Sequence, residues 1–369
     1  MNGQWLGAYG GTNTGTAILE LDDMGDRYVG ALYAYDARHD LPNVVIWIEA
    51  PSKAQQFELD AKIEALHPAT GDPVSWAAIK DSYPNVTIPA LVNLNCSVIG
   101  DVLKVTWNTP SGTEGIALLR KPDASSPSDY EPIDVNDWNS FKDFATSQEP
   151  YRYIFRGQES NKWRLRTHFH RTGRAYILRF MNEDIPALHK NVSSLTRHFF
   201  RIDNNIENAA FHSLVQHHGY PTPLLDWTHS PFVAAYFAYK GIRKGNIRPD
   251  KKVRIFVFDS KSWRSDWRQF PKISPAPEHF SLLDPIALNN PRMVPQQALS
   301  SITNLDDVES YIRKKEREKD TTYLRVIDLP STERKEAMQQ LSIMGITAGS
   351  LFPGIDGACE QLRERFFDL

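Results

Sequence analysis

Tyr151-Arg152-Tyr153-Ile154-Phe155-Arg156-Gly157-Gln158 is the stretch on which the reading of this chain turns. Tyr151, Tyr153 and Phe155 alternate like the core-facing positions of a β-strand, which then ends at Arg156-Gly157. A guanidinium at a strand end, beside a residue with no Cβ, suits a cleft where the backbone comes close to a ligand. The planar fork of arginine offers paired hydrogen bonds to a diphosphate or a ribose. An arginine on a solvated strand end is the plainer alternative. Just upstream, Asp134–Ala145 spaces Trp138, Phe141 and Ala145 as a helix does, with Asp134 or Asn136 available as N-cap. Downstream, strands and helices mix to Leu369, so residues 131–369 read as one α+β unit.

Working back from this unit, Lys121–Asp129 is short, polar and rich in Pro and Ser, the composition of a linker. The expected division is therefore 1–121, a linker at 122–130, and 131–369. The first part reads as all-β. Its short apolar and aromatic runs are Thr16–Leu21, Tyr28–Tyr35, Asn43–Glu49, Leu91–Val98, Val102–Trp107 and Gly115–Leu119. Leu103, Val105 and Trp107 would face a core, and Asp22–Asp26 makes a turn with Gly25 free to take positive φ. Only Phe57–His67 has the composition of a helix. A small antiparallel barrel or sandwich is expected. Two segments, Gln4–Thr12 and Thr106–Asn108 with Ser111–Thr113, resemble the Trp- and Gly-bearing strands of lipocalin- or avidin-type barrels. That likeness implies a ligand or partner on this unit; alternatively, each Trp plugs one end of a packed barrel.

Charge divides at the same place. Residues 1–125 carry 8 Lys+Arg against 15 Asp+Glu, and the remainder carries 34 against 30. An acidic front and a mildly basic back fit two folding units. Hydrophobic residues at 41% and charged residues at 24% exclude a disordered chain or a collagen-like repeat. No run is long and apolar enough for a membrane span, and Met1–Trp5 lacks the layout of a secretion signal. Two cysteines, Cys96 and Cys359, without metal-type spacing, fit a reduced, cytoplasmic setting.

Three further features bear on chemistry. Leu214–Gly219 reads as a helix ending at Gly219, followed by the extended Pro221-Thr222-Pro223 and a buried strand at Leu224-Leu225. A turn at Asp226-Trp227-Thr228 then leads to a helix with Pro231 near its first position. Asp226 and Thr228 beside a helix start suit a polar or anionic ligand. Eight of eleven histidines fall between His168 and His229; His168 and His170 would share one face of a strand, and His217 or His218 could act as a general base. Arg164, Arg166, Arg171 and Arg174, interleaved with Trp163, His168, Phe169 and Tyr176, suit phosphate contacts and base stacking, hence DNA or RNA. Arg313–Lys319 reads as an exposed helix and Val253–Phe258 as a buried strand.

Phe155-Arg156-Gly157-Gln158, Gln216–Thr222, Leu224–Thr228 and Ala234–Ala238 resemble blocks of the FRG domain of bacteria and phages. Asn290-Pro291-Arg292 with Gln296-Gln297, and Leu351–Gly357, are similar to its closing blocks, so the likeness spans roughly 133–369. The same blocks look like those of arginine-type ADP-ribosyltransferases. That likeness implies a split mixed sheet with helices and NAD as substrate. Arg156, Gly157, Gln158, Trp227 and Tyr236 would contact NAD, and Arg156, Asp226, Thr228 and Gln297 (or Gln296) would form the catalytic group. It further implies transfer of ADP-ribose to a macromolecule, with nucleic acid favoured, in a toxin or anti-phage role. The transferases carry a glutamate where Gln297 stands, which favours the alternative of a non-catalytic nucleotide- or partner-binding sensor. A His-dependent hydrolase or nuclease is the third reading.

Overall fold

A computed structural model describes residues 1–275 and 277–368 of the chain. Strands β1 (Gly3–Gly11), β2 (Gly15–Asp23), β3 (Tyr28–Asp36), β4 (Val44–Glu49) and β5 (Gln56–Leu66) follow one another as a meander. The two-residue β6 (Pro73–Val74) pairs with the end of β5, and a single helical turn, α1 (Trp76–Ile79), follows. The meander resumes with β7 (Leu91–Ile99), β8 (Val102–Asn108) and β9 (Glu114–Arg120). Pairing of β9 with β1 and of β4 with β5 closes eight antiparallel strands into a barrel.

The six runs expected as strands all lie in strands apart from Asn43, which precedes β4, and Gly25 takes φ +95° in the β2–β3 turn. Phe57–His67 is the exception, being strand β5 and not a helix. Its Glu, Ala and Lys content favours a helix, but Phe57, Leu59, Ala61 and Ile63 all enter the barrel core. A period of two decides the segment over composition. β2 has no exposed face: Ala17, Leu19 and Leu21 point into the barrel, while Ile18, Glu20 and Asp22 are covered by the C-terminal unit.

That unit begins with α2 (Trp138–Ser147), whose N-cap is Asp137, in a capping box with Ser140, and not Asp134 or Asn136. Strand β10 (Tyr153–Gln158) follows; Tyr151 lies outside it, at φ +62° and 77% exposed. Next come α3 (His168–Arg171), α4 (Ile177–Arg179), which runs through a π turn into α5 (Ile185–Ser193), and α6 (Asn205–His217). Strand β11 (Leu224–Thr228) takes in the three residues expected as a turn, because Asp226, Trp227 and Thr228 all pair with a neighbouring strand. Helix α7 (Pro231–Lys240), capped by Ser230, leads to β12 (Lys252–Asp259), α8 (Ser260–Asp266), β13 (Phe280–Leu283) and β14 (Ala298–Thr303). The chain ends with α9 (Val308–Lys319), β15 (Leu324–Pro330), α10 (Arg334–Ile343), α11 (Ala348–Leu351) and α12 (Ile355–Arg363).

The six strands β10–β15 form one sheet in the order β13-β14-β11-β10-β12-β15, and all five pairings are antiparallel, where mixed directions were expected. Val253, Ile255 and Val257 face a core built with α2, α7 and α10, while Phe256 and Phe258 face a second core with α8 and α9. The sheet is nearly divided in two. β10 holds β12 through six residue pairs, and β11 holds β14 through five, yet β10 meets β11 only at Phe155 and Thr228.

Barrel and C-terminal unit are joined by buried polar groups. Asp22 Oδ1 accepts from the backbone N–H of Ala175 (3.0 Å) and Tyr176 (3.1 Å), and its Oδ2 accepts from Arg174 (2.8 Å) and Arg179 (3.1 Å). Glu20 accepts from Ile177 N–H (3.0 Å), and Gln4 bridges Asn304 O and Asp306 N–H. Tyr176 and Leu178 fill the apolar remainder of the seam against Ile18, Tyr33 and Val45. The linker is also tied down: Ser128 is bonded to Glu309 and Arg254, and Arg254 forms a buried pair with Asp328.

Burial holds the Glu20 carboxyl well above the usual carboxylate range, and Asp22 beside it adds to the shift. The folded state then keeps a proton that the unfolded chain has already released, so stability falls as pH rises above about 4.5 until the folded group ionises. One such proton gives a slope of up to about 1.4 kcal/mol per pH unit. Glu20→Gln, which keeps the acceptor for Ile177, should flatten that decline in urea titrations at pH 5, 7 and 9. An unchanged slope would show that Glu20 does not produce it.

Candidate functional site

Where β10 and β11 part, a cleft of about 780 Å³ opens. Its floor is Arg156, Gly157 and Gln158 on one side and Asp226 on the other, and Phe237 and Phe352 form an apolar wall. Lys162, Arg164, Arg166, Arg171 and Arg292 also line it, against two carboxylates, Glu159 and Asp226. Linker residues Ala124, Ser125 and Ser126 complete the rim.

Gly157 is required by packing. A Cβ there would lie 1.9 Å from Ala234 O and 2.6 Å from Ala238 N, so the backbone of α7 crosses β10 at this residue. The Arg156 side chain spans the gap instead of the strand ladder, donating from Nη1 to Asp226 O at 2.7 Å. Its Nε is enclosed and has no hydrogen-bond partner among the described residues. Burial lowers its pKa from the ordinary guanidinium value, nearby Asp226 opposes this, and Arg171 adds to it. Gln158 is buried too, and its Oε1 accepts no hydrogen bond among the described residues. An enclosed donor and an enclosed acceptor thus stand two residues apart on the same strand, and such groups are costly unless something pairs with them.

Opposite them, Asp226 is held by α6. Gln216 Nε2 donates to Asp226 Oδ1 at 2.7 Å, and Thr222 Oγ1 donates to Gln216 Oε1. His217 Nε2 lies 3.9 Å from the same oxygen, while Asn290 lies 2.9 Å from His217 Nδ1. The Asp226 side chain stays 41% exposed to the cleft. A carboxylate positioned by an amide and an imidazole, facing a cationic wall, can stabilise a developing positive charge or accept a proton.

The other expected site residues divide. Thr228 lines the cleft, but its hydroxyl is committed to the fold, donating to Gln296 O (2.7 Å) and accepting from Ser230 N–H (3.0 Å). Gln296 lines the cleft with Nε2 on Leu351 O (2.9 Å), whereas Gln297 is an exposed residue at φ +47° outside the lining. Trp227 reaches the cleft edge with its indole turned into the opposite core, donating to Ser301 Oγ and packing on Phe258. Tyr236 is wholly buried on the far side of α7 and donates to Glu364. Arg174 is likewise spent in the seam with Asp22 and Asp184. Arg164 and Arg166 line the cleft while paired with Asp129, Asp307 and Glu309 and with Asp306, respectively. Arg171 lines the cleft, and its side chain makes no hydrogen bond or ion pair among the described residues.

The histidines do not converge. His168 and His170 are on helix α3, not a strand; His170 is buried on Thr167, and burial brings its pKa down to about 4. Among the described residues, no three His, Cys, Asp or Glu side chains group to hold a metal ion. The residues not singled out from the sequence are Lys162, Gln216, Arg292, Phe237 and Phe352. Gln216, Phe237, Arg292 and Phe352 lie inside the motif blocks, which is the available signal, and Lys162 lies in none of them. The contribution of the linker had none.

Residues 151–246 match the family model of the FRG domain. That span contains β10, α6, β11 and α7, and stops short of Arg292, Gln296 and Phe352. No curated protein sequence matches the chain. Among solved structures, the chain is similar to a de novo designed fluorescence-activating β-barrel, at 10% identity over 33% of this chain and 94% of that one, with a TM-score of 0.23. It is also similar to a redesigned β-barrel bound to DFHBI, at 11% identity over 32% and 94%, with a TM-score of 0.22.

Gly157→Ala should force α7 off β10 and cost about 3 kcal/mol, the upper range for overpacking a core. Gly245→Ala, whose added Cβ meets nothing within 4 Å, is the matched control. Equal denaturation midpoints for the two variants would refute the close crossing.

Proposed function

We propose that the cleft binds NAD and transfers its ADP-ribosyl group to a nucleic acid. The observation that carries this reading is the pairing of an unsatisfied donor, Arg156 Nε, with an unsatisfied acceptor, Gln158 Oε1, on the floor of a cationic cleft. A ligand that offers both an anion and a hydroxyl satisfies both, and a ribose carrying phosphate is such a ligand. The excess of basic over acidic lining residues suits the two phosphates of a dinucleotide. Phe237 and Phe352 offer an apolar wall for a flat ring.

In this reading Arg156 and Arg171 hold the diphosphate, and Asp226 faces the nicotinamide-bearing ribose. The C1′–N bond breaks with its electron pair passing to the nicotinamide ring, which leaves neutral. An acceptor oxygen or nitrogen forms the new bond to C1′ and gives its proton to Asp226 or His217. The Asp226 carboxylate supplies the negative charge that neither Gln296 nor Gln297 can provide. The acceptor reaches the cleft along the wall of Lys162, Arg164 and Arg166, with exposed Trp163 available for stacking.

The neutral Gln296, bonded to Leu351 O, favours a second reading, a nucleotide-binding sensor without catalysis. Labelled NAD incubated with the protein and DNA, RNA or cell lysate separates the two, with binding followed by calorimetry. Arg156→Ala is expected to weaken NAD binding about 100-fold, the loss of charge-assisted hydrogen bonds worth about 3 kcal/mol. Asp226→Asn is expected to retain binding and lower transfer about 100-fold or more. Binding without transfer in the wild type would favour the sensor. Unchanged NAD binding in Arg156→Ala would refute the site itself.

A further inference from the structure

The barrel is filled at one end and hollow at the other, and the difference lies in residue size along the same strands. Inward positions near the start of the barrel carry Trp5, Leu19, Leu21, Leu103 and Leu119, all buried in one packed cluster. Towards the other end the same faces of β2, β3 and β9 carry Ala17, Ala34 and Ala117. Ala17 and Ala34 are register partners on adjacent strands, so their missing volume adds at one level. A cavity of about 170 Å³ results, walled by Leu32, Ile46, Ile63, Leu94 and Trp107. Trp5 therefore plugs one end of the barrel, and Trp107 stands beside a space.

We propose that this end of the barrel is a binding site for a compact, uncharged, mainly apolar molecule about the size of one aromatic ring. Size follows from the volume, because an apolar cavity of about 150 Å³ stays dry and accepts benzene. Charge follows from the lining. Its polar groups are hydroxyls, amides and the Trp107 indole, among them Tyr9 and Asn13, and none of the described lining residues is Asp, Glu, Lys, Arg or His. An ion placed there would lose its hydration with nothing to replace it. At the mouth, Thr109 already bonds Ser111 (2.9 Å) and Thr113 (2.7 Å), which leaves these hydroxyls partly satisfied without a ligand. Val86, Ile88 and Pro89, with Leu41 and Pro42, all outside strands, add apolar side chains to the lining. This site is separate from the cationic cleft and does not depend on the reading given for it.

The test uses the full chain with benzene, indole and benzoate, followed by thermal unfolding and by ligand-observed NMR. Benzene or indole should raise the Tm of the wild type with saturation, and benzoate should not. Ala34→Leu and Ala117→Leu, which fill the space, should each weaken the neutral probes at least tenfold while leaving the far-UV circular dichroism of the chain unchanged. Absence of saturable binding by both neutral probes, equal binding by the filled variants, or benzoate binding as tightly as benzene would each overturn the proposal. Should the filled variants fail to fold, xenon-pressurised crystals of the wild type decide it. A xenon peak between Ala17, Ala34 and Trp107 supports the site, and no peak there overturns it.

Discussion

Strands β10 and β11 touch through Phe155 and Thr228 and then separate, and the C-terminal unit is arranged around that separation. Two neighbouring strands that part leave backbone polar groups without ladder partners, which is tolerable only where something else satisfies them. Here the Arg156 side chain takes one carbonyl, that of Asp226, and so places a guanidinium where a strand pair would otherwise continue. Gly157 lets α7 close one face of the gap, and the Thr228 hydroxyl fixes the segment that carries Gln296 against the other. The cleft is thus a consequence of sheet geometry more than of any loop.

The seam between barrel and C-terminal unit follows a related logic. Glu20 and Asp22 lie on the outer face of β2, where an isolated barrel would leave them in water. In the whole chain they accept the N–H groups of Ala175, Tyr176 and Ile177 at the start of the helical run that includes α4 and α5. Carboxyl oxygens at such a position satisfy backbone donors that the helix itself leaves unpaired. A seam made of such bonds fixes orientation, since each acceptor matches a particular N–H, whereas apolar contacts alone would permit sliding.

Much of this was legible from the residues because period and punctuation state it locally. Alternation in Leu103–Trp107, glycine in the Asp22–Asp26 turn and Ser230-Pro231 before α7 each depend on near neighbours in the sequence. In β5 a helix-like composition is overridden by the alternation of Phe57, Leu59, Ala61 and Ile63 into the barrel core. Arg156, Asp226 and Gln158 could be singled out because they lie in compact motifs. The directions of Trp227 and Tyr236 could not, since which face of a strand or helix meets a cleft is set by partners such as Ser301 and Glu364, distant in sequence. The commitment of Arg174 to Asp22 was likewise invisible, because a cation's counter-charge on another domain leaves no local trace.

The linker shows how far folding and function can differ in their boundaries. By composition Lys121–Asp129 is a spacer, yet Ala124, Ser125 and Ser126 form part of the cleft rim, and Ser128 is bonded to Glu309 and Arg254. Modularity is therefore limited in one direction. Transplanting the C-terminal sheet and helices alone onto another partner would move every side chain of the FRG-like span and still leave one edge of its cleft behind. The cleft is complete only when the linker and the split sheet are kept together.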